Sequence, residues 1–282
     1  MSESADQAEF WNGPTALKWL QHHARLDALL APFGDALIER ANPAPGERAI
    51  EVGSAHGTMA FVLAEHVGES GSVLGVDLSR AMIDMARGRT SSANLRFEAA
   101  DASTFAFDEG GADLLVSRFG VMFFSDPVGA FRHLRRALRP GGRLTFVCWQ
   151  ALERNPWMYR SVEVADALLS PGLPPKGDGP GAFSLADPVR IDQVLGAARF
   201  EDVEIASFNP CVTIGDSPRE AAAFILEMGP VAARLHGASN DAANAVRAAV
   251  ETAYGEHAGE GGVRLPSAAW LVHATSKHGA TS

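Results

Sequence analysis

Apolar positions in this chain recur at two spacings, and the clearest pattern lies in residues 48–79. Ala49, Ile50 and Val52 form a short apolar run that stops at Gly53, as a buried strand does. Gly57 then opens a stretch carrying Met59, Ala60, Phe61, Val62, Leu63 and Val67, which predicts a helix. Gly68 to Gly71 turn the chain, and Val73 to Val76 predict a second strand ending at Asp77. Two parallel strands joined by a helix make a right-handed βαβ unit. Ligands of such sheets bind beyond the carboxyl ends of the strands, where Glu51, Gly53, Gly57 and Asp77 fall.

The same reading extends to both sides. Leu17, Leu20, Leu26, Leu29 and Leu30 predict a helix over about 15–31, interrupted by Pro32 and Gly34 and resumed to about Arg40. Ser79 suits the N-cap of a helix bearing Met82, Ile83 and Ala86. Strands are predicted over 94–99 and 113–117. Asp126 and Pro127 then supply N-cap and N1 of a helix with Val128, Phe131, Leu134 and Leu138 on one face. Arg135, Arg136 and Arg139 occupy the other face, and Pro140-Gly141-Gly142 stops the helix before a strand over 143–149. Helices follow near 157–169 and 188–198, with a Gly/Pro-rich loop at 171–181 between them, then a strand within 200–208. Ser217-Pro218-Arg219-Glu220 is a capping box opening a further helix; an Ala-rich helix spans about 238–254, and 268–274 closes as a strand.

The loop chemistry narrows the ligand. A dinucleotide needs its pyrophosphate on bare amides, hence G-x-G-x-x-G. Gly53-Ser54-Ala55-His56-Gly57 lacks that spacing and instead follows a carboxylate, Glu51, which repels phosphate and suits a cation. Asp77 is placed like the acidic residue that accepts from ribose hydroxyls. A ribose with a positively charged, phosphate-free tail describes S-adenosylmethionine.

At these residues the chain resembles the class I S-adenosylmethionine-dependent methyltransferases, whose first motif is an acidic residue before G-x-G-x-G and whose second is an acidic residue ending strand two. Ala55 departs from the middle glycine. The LRPGG at 138–142 recurs in that family. SRFGVMFF at 117–124, with the following PVGAF, LRRALRPGGRL and FVCW, resembles the bacterial small-molecule group related to the quinone-biosynthesis C-methyltransferases. The resemblance runs from Phe10 to near Thr275. It implies an α/β, Rossmann-like seven-stranded sheet, mostly parallel with an antiparallel last strand, helices on both faces and helical cap insertions. It further implies an N-terminal helical segment (1–45) covering the cleft and a methyltransferase domain (46–282) with caps at about 153–185 and 217–259. Around the cofactor it places Glu51, Gly53, Ser54, Gly57, Asp77, Leu78, Met82, Ser117 and Phe119, with Asp101 accepting from the adenine amino group and Ala102 offering its amide. Asp101 also fits a simple turn aspartate.

Composition sets the remaining bounds. The 282 residues are 46% hydrophobic and carry a formal net charge of −10, which argues against binding a phosphate backbone. Cys148 and Cys211 form no metal-spaced pair, and no other metal constellation stands out. With a polar, acidic N-terminus and no apolar run of membrane length, a cytoplasmic protein is expected, acting on a small molecule away from nucleic acid and membrane, with a homodimer left open. Asn155-Pro156-Trp157 superficially matches the Asn-Pro-Pro-aromatic motif of nucleic-acid amino-methyltransferases, but it follows the fifth strand rather than the fourth and has one proline. No residue is marked as a general base; His22, His23, Tyr159 and His236 are the candidates, and both N-terminal histidines also read as solvated. Two alternatives stay open: a non-catalytic S-adenosylmethionine-binding protein, and a nucleotide-dependent oxidoreductase, which the missing phosphate loop disfavours.

Overall fold

The computed structural model describes residues 3–90, 92–169 and 179–276. Most of the loop expected at 171–181 lies outside them. The N-terminal segment is three helices, α1 (Glu3–Asn12), α2 (Pro14–Gln21) and α3 (His23–Ala41). The helix expected to break at Pro32 instead runs through it, and the break falls at His22. Proline removes one intrahelical hydrogen bond. Here α3 is held by what it buries: Leu29, Phe33, Leu37 and Ala41 are almost wholly enclosed, and that burial outweighs the missing bond.

The central unit follows as expected: β1 (Arg48–Val52), α4 (Thr58–Val67) and β2 (Ser72–Asp77), then α5 (Arg80–Gly88), β3 (Leu95–Ala99) and β4 (Ala112–Arg118). Asp126 caps α6 (Pro127–Ala137) by accepting from the Gly129 amide at 2.9 Å. β5 (Leu138–Trp149) starts earlier than the sequence suggested: Leu138 is already extended, so Arg139 and the Pro140-Gly141-Gly142 stop belong to the strand. Then come α7 (Pro156–Leu168), α8 (Pro188–Ala197), β6 (Phe200–Phe208), β7 (Cys211–Gly215), α9 (Pro218–Met228), α10 (Ala232–His236), α11 (Asn240–Gly255), β8 (Ala258–Gly259), β9 (Gly262–Pro266) and β10 (Ala269–Ser276).

Seven strands form one sheet in the order β3-β2-β1-β4-β5-β10-β6, with helices on both faces. β1 pairs in parallel with both β2 and β4, while β10 runs antiparallel to its two neighbours β5 and β6. The last six residues of β5 are all buried, as a strand covered on both faces requires. The chain leaves β1 toward opposite sides of the sheet, so the crevice between the ends of β1 and β4 is the topological switch point.

Beyond the sheet, α7, α9 and α11 pack on one another beside a small sheet ordered β7-β9-β8. The expected helical pair between 217 and 259 is present, but the small sheet was not anticipated. Its strands are short and depend on two glycines in contact: a Cβ on Gly262 would lie 2.5 Å from the Gly215 carbonyl oxygen. Among the described residues, no helix is long and apolar enough to cross a membrane.

Candidate functional site

A cavity of about 790 Å³ opens at the switch point. Its two ends differ in chemistry. One is built by the carboxyl ends of β1, β2 and β3 and contains Glu51, Gly53, Ser54, Asp77, Leu78, Met82, Asp101 and Ala102; Phe119 from the residue after β4 joins them. The sequence had assigned these residues to one ligand, and the fold brings them onto one wall.

The loop after β1 is tightly constrained. Gly53 has φ +74°, and a Cβ there would lie 2.8 Å from the Gly120 Cα, so β1 and the turn after β4 meet backbone to backbone. Asp77 fixes the loop from the neighbouring strand. One carboxylate oxygen accepts from the Ala55 amide at 2.9 Å, and the other accepts from the Ser79 amide at 2.8 Å. Burial raises the Asp77 pKa, and those two amides oppose the rise. Ala55, where the motif has glycine, sits at φ +46°, a conformation an alanine adopts only under constraint.

Glu51 is 2% exposed, and its Oε2 has no hydrogen-bond partner among the described residues. Burial pushes its pKa up to about 8; the Arg118 guanidinium opposes the shift and Asp77 adds to it. A buried carboxylate with an unused oxygen calls for a cation.

Two predicted residues lie behind the wall rather than in its lining. Ser117 Oγ donates to the Val52 carbonyl at 2.7 Å and accepts from the Gly120 amide at 3.1 Å, stitching β1 to β4. Gly57, at φ +92°, has the Phe97 ring where a Cβ would go, and Thr58 starts α4 directly after it. Asp101 accepts from the Ser103 amide and hydroxyl at 2.8 and 2.6 Å, so it makes a turn and also faces the cavity.

The other end is apolar. Trp11, Trp19, Phe123, Trp157, Phe224 and Met228 converge there from the N-terminal helices, the turn after β4, α7 and α9. Trp11 meets Phe123 and Trp19 edge to face at 5.1 and 5.6 Å between ring centres. Phe119, at φ +65°, stacks on Trp149 at 4.0 Å and forms the floor between the two ends. The four candidate bases are not in the lining. His22 Nε2 pairs with Glu227 at 3.1 Å, and His23 Nδ1 bonds the Leu20 carbonyl at 2.8 Å. Tyr159 packs half-buried against the core, and His236 ends α10. Reading the sequence passed over Asp27, His56 and Arg118, which line the cavity together; only the GSAHG loop position of His56 offered a signal.

Residues 49–142 match the family model described as a methyltransferase domain. Aklanonic acid methyltransferase DauC of Streptomyces sp. (strain C5) is 35% identical over 118 residues, 41% of this chain and 54% of that protein. The ubiquinone/menaquinone biosynthesis C-methyltransferase UbiE of Azotobacter vinelandii is 32% identical over 111 residues, 38% of this chain and 44% of that protein. The chain thus spans about half the length of these curated relatives. The fold is shared with the solved phosphoethanolamine N-methyltransferase 2 of Haemonchus contortus, in complex with S-adenosyl-L-methionine: TM-score 0.53, 19% identity, 87% of this chain and 52% of that one. Residues 49–142 of this chain thus match a methyltransferase domain, and the solved N-methyltransferase shares its fold.

Proposed function

We propose that the protein transfers a methyl group from S-adenosylmethionine to an apolar, ring-containing small molecule. The observation that carries the reading is Glu51: a carboxylate buried at the switch point, with one oxygen unused, in a cavity that it shares with Asp77 and Asp101. That set fits a ligand with a cationic tail, a diol and an aromatic base, and it offers no glycine-rich nest for a pyrophosphate. Glu51 would face the cationic tail, Asp77 the ribose hydroxyls, and Asp101 with the Ala102 amide the adenine.

When bound, S-adenosylmethionine supplies a methyl group already activated by a positive sulfur. The chain's own task is alignment and exclusion of water, and orientation alone is worth about 7–11 kcal/mol in favourable cases. The Trp and Phe rings at the far end provide flat apolar contact area and a dry chamber. His22, edge to face with Phe224 at 5.6 Å, is engaged by Glu227 and does not line the cavity, which suits an acceptor atom that is nucleophilic without help, such as an ionised enol or phenol. The names of the relatives, an aklanonic acid methyltransferase and a ubiquinone/menaquinone biosynthesis C-methyltransferase, are consistent with a small-molecule acceptor. On this reading residues 1–45 cover the cleft and the insertions at 153–185 and 217–259 shape the acceptor end. The acidic balance, net −10, supports a free metabolite in the cytoplasm rather than a nucleic acid; a homodimer is compatible with it.

Calorimetry with S-adenosylmethionine, S-adenosylhomocysteine and NAD, followed by a methyl-transfer screen against polycyclic and quinol acceptors, tests the proposal. Micromolar binding of both sulfur ligands and turnover of an aromatic acceptor are expected. Binding of NAD in preference to either sulfur ligand sinks it.

A further inference from the structure

Three features outside the assigned donor residues were candidates for a role: the exposed side chains Leu17 and Phe10, the shallow cleft beside Arg87 and Arg96, and the side chains gathered on Asp27. Only the third joins several elements at the cavity. Asp27 lies on α3, and its Oδ2 accepts from His56 Nε2–H at 2.8 Å and from the Thr58 hydroxyl at 2.8 Å. The Arg118 guanidinium donates to Oδ1 at 3.4 Å. One carboxylate therefore touches the loop after β1, the first residue of α4 and the end of β4. Although burial acts to raise its pKa, the His56 hydrogen bond and charge, Thr58 and Arg118 outweigh it and hold Asp27 below the usual range. An ionised carboxylate only accepts, so His56 carries its proton on Nε2.

The placement of His56 gives this pair its meaning. It is 4% exposed and sits between Ala55, held at positive φ, and Gly57, also at positive φ. Three groups grip this short loop. Asp77 takes the Ala55 amide, Arg89 donates to the His56 carbonyl at 3.0 Å, and Asp27 takes the His56 ring. The first comes from the end of β2 and the second from the residue after α5. Asp27 alone of the three comes from α3, and its near neighbours Leu26, Leu29 and Leu30 also line the cavity.

We propose that Asp27 and His56 are a positioning pair: through their hydrogen bond, α3 holds the loop after β1 in its donor-binding shape. The pair ties the N-terminal cover to the donor wall, so the cover and the loop adopt one arrangement together. Neither residue is assigned contact with the reacting atoms. The inference rests on the proposed donor, but its physical core, the grip of α3 on residues 53–58, exists with no ligand at all.

The test uses the full chain carrying Asp27→Ala, His56→Ala or both, with Asp27→Asn as the milder variant if Asp27→Ala fails to fold. Two readouts are taken: calorimetric affinity for S-adenosylhomocysteine, and amide hydrogen exchange of residues 53–58 without ligand. The expected result is about tenfold weaker binding for each single variant, from loss of a charged hydrogen bond. The double variant should be no weaker than Asp27→Ala within about twofold, because removing Asp27 already removes the contact that His56 makes with it. Exchange in 53–58 should accelerate while the rest of the sheet keeps its protection. Wild-type affinity in the single variants, or losses that add, overturns the inference. If the wild-type protein binds no sulfur ligand, the proposed function fails on its own. Exchange then decides: unchanged protection of 53–58 in the Asp27 variant overturns the positioning role, and faster exchange supports it.

Discussion

Gly53 and Gly120 lie back to back: a Cβ on Gly53 would approach the Gly120 Cα to 2.8 Å, and one on Gly120 would come within 2.6 Å of the Val52 carbonyl oxygen. The switch-point crevice exists because neither residue has a side chain. Gly120→Ala should cost about 1–3 kcal/mol by overpacking alone. Gly53→Ala should cost more, since φ +74° adds strain to the clash. Urea unfolding of both variants reads the difference, and equal stability of Gly120→Ala and wild type would mean that β1 and β4 separate easily there.

Ala55 gives the opposite sign. A left-handed alanine is strained by roughly 1–2 kcal/mol, while glycine adds about 0.4–1 kcal/mol of unfolded-state freedom. Ala55→Gly should therefore leave stability level or raise it by up to about 1.6 kcal/mol. Ala55→Val, β-branched at φ +46°, should lower it. A valine variant matching wild type in denaturant midpoint would contradict the strained geometry.

Glu51 makes the ligand-free protein sensitive to pH in a defined window. Its folded pKa, raised to about 8 chiefly by burial, exceeds the ordinary 4.5. Between those values the unfolded chain has released a proton that the folded chain keeps, so unfolding free energy falls as pH rises. The contribution is fully present below 4.5 and lost through about 8. Glu51→Gln should flatten this slope, stabilise the free protein near neutral pH and weaken S-adenosylmethionine. Parallel pH slopes in the two proteins would refute the assignment.

Asn155, weighed in the sequence for a motif it does not fit, has a structural task. Its side-chain nitrogen donates to the carbonyls of Gln150, Ala151 and Ala268 at 3.0–3.3 Å, and its oxygen accepts from the Ala268 amide at 2.9 Å. Asn155→Ala leaves several buried partners unmatched and should cost about 2–4 kcal/mol. Thermal unfolding should show the loss with little change in donor affinity of the protein that remains folded.

At the apolar end of the cavity, which the proposal gives to the acceptor, Met228→Trp should fill space without reaching Glu51 and Asp77. The acceptor KM should rise about tenfold with S-adenosylhomocysteine affinity unchanged. A variant that loses donor binding instead would place Met228 at the wrong end of the cavity.

The clustering of Glu51, Gly53 and Asp77 at the switch point was legible because its signals are local. Glu51 and Gly53 sit two residues apart at a strand end, and Asp77 ends the next strand of the same βαβ unit. What escaped depends on distant partners. Nothing near Asp27 announces His56, 29 residues on, and nothing at His22 announces Glu227. Pro32 misled for a related reason: its local cost is real, but the burial of Phe33 and Leu37 is a property of the assembled core. The strands β7 and β9 alternate in burial, but each is short and finds its partner far away in the chain, with Gly215 and Gly262 in contact at one end.

The position of β10 sets an order of assembly. The strands that lead into the switch-point wall, β1 to β4, occupy the first 118 residues and neighbour one another in the sheet. β5 and β6, by contrast, never touch; β10 lies between them and bonds both along most of its length. During synthesis β1 to β4 can pair as soon as they leave the ribosome, whereas β6 has no place in the sheet until residues 269–276 emerge. A chain cut before Ala269 would keep every acidic strand end yet leave β5 and β6 with open edges, the state in which sheets aggregate.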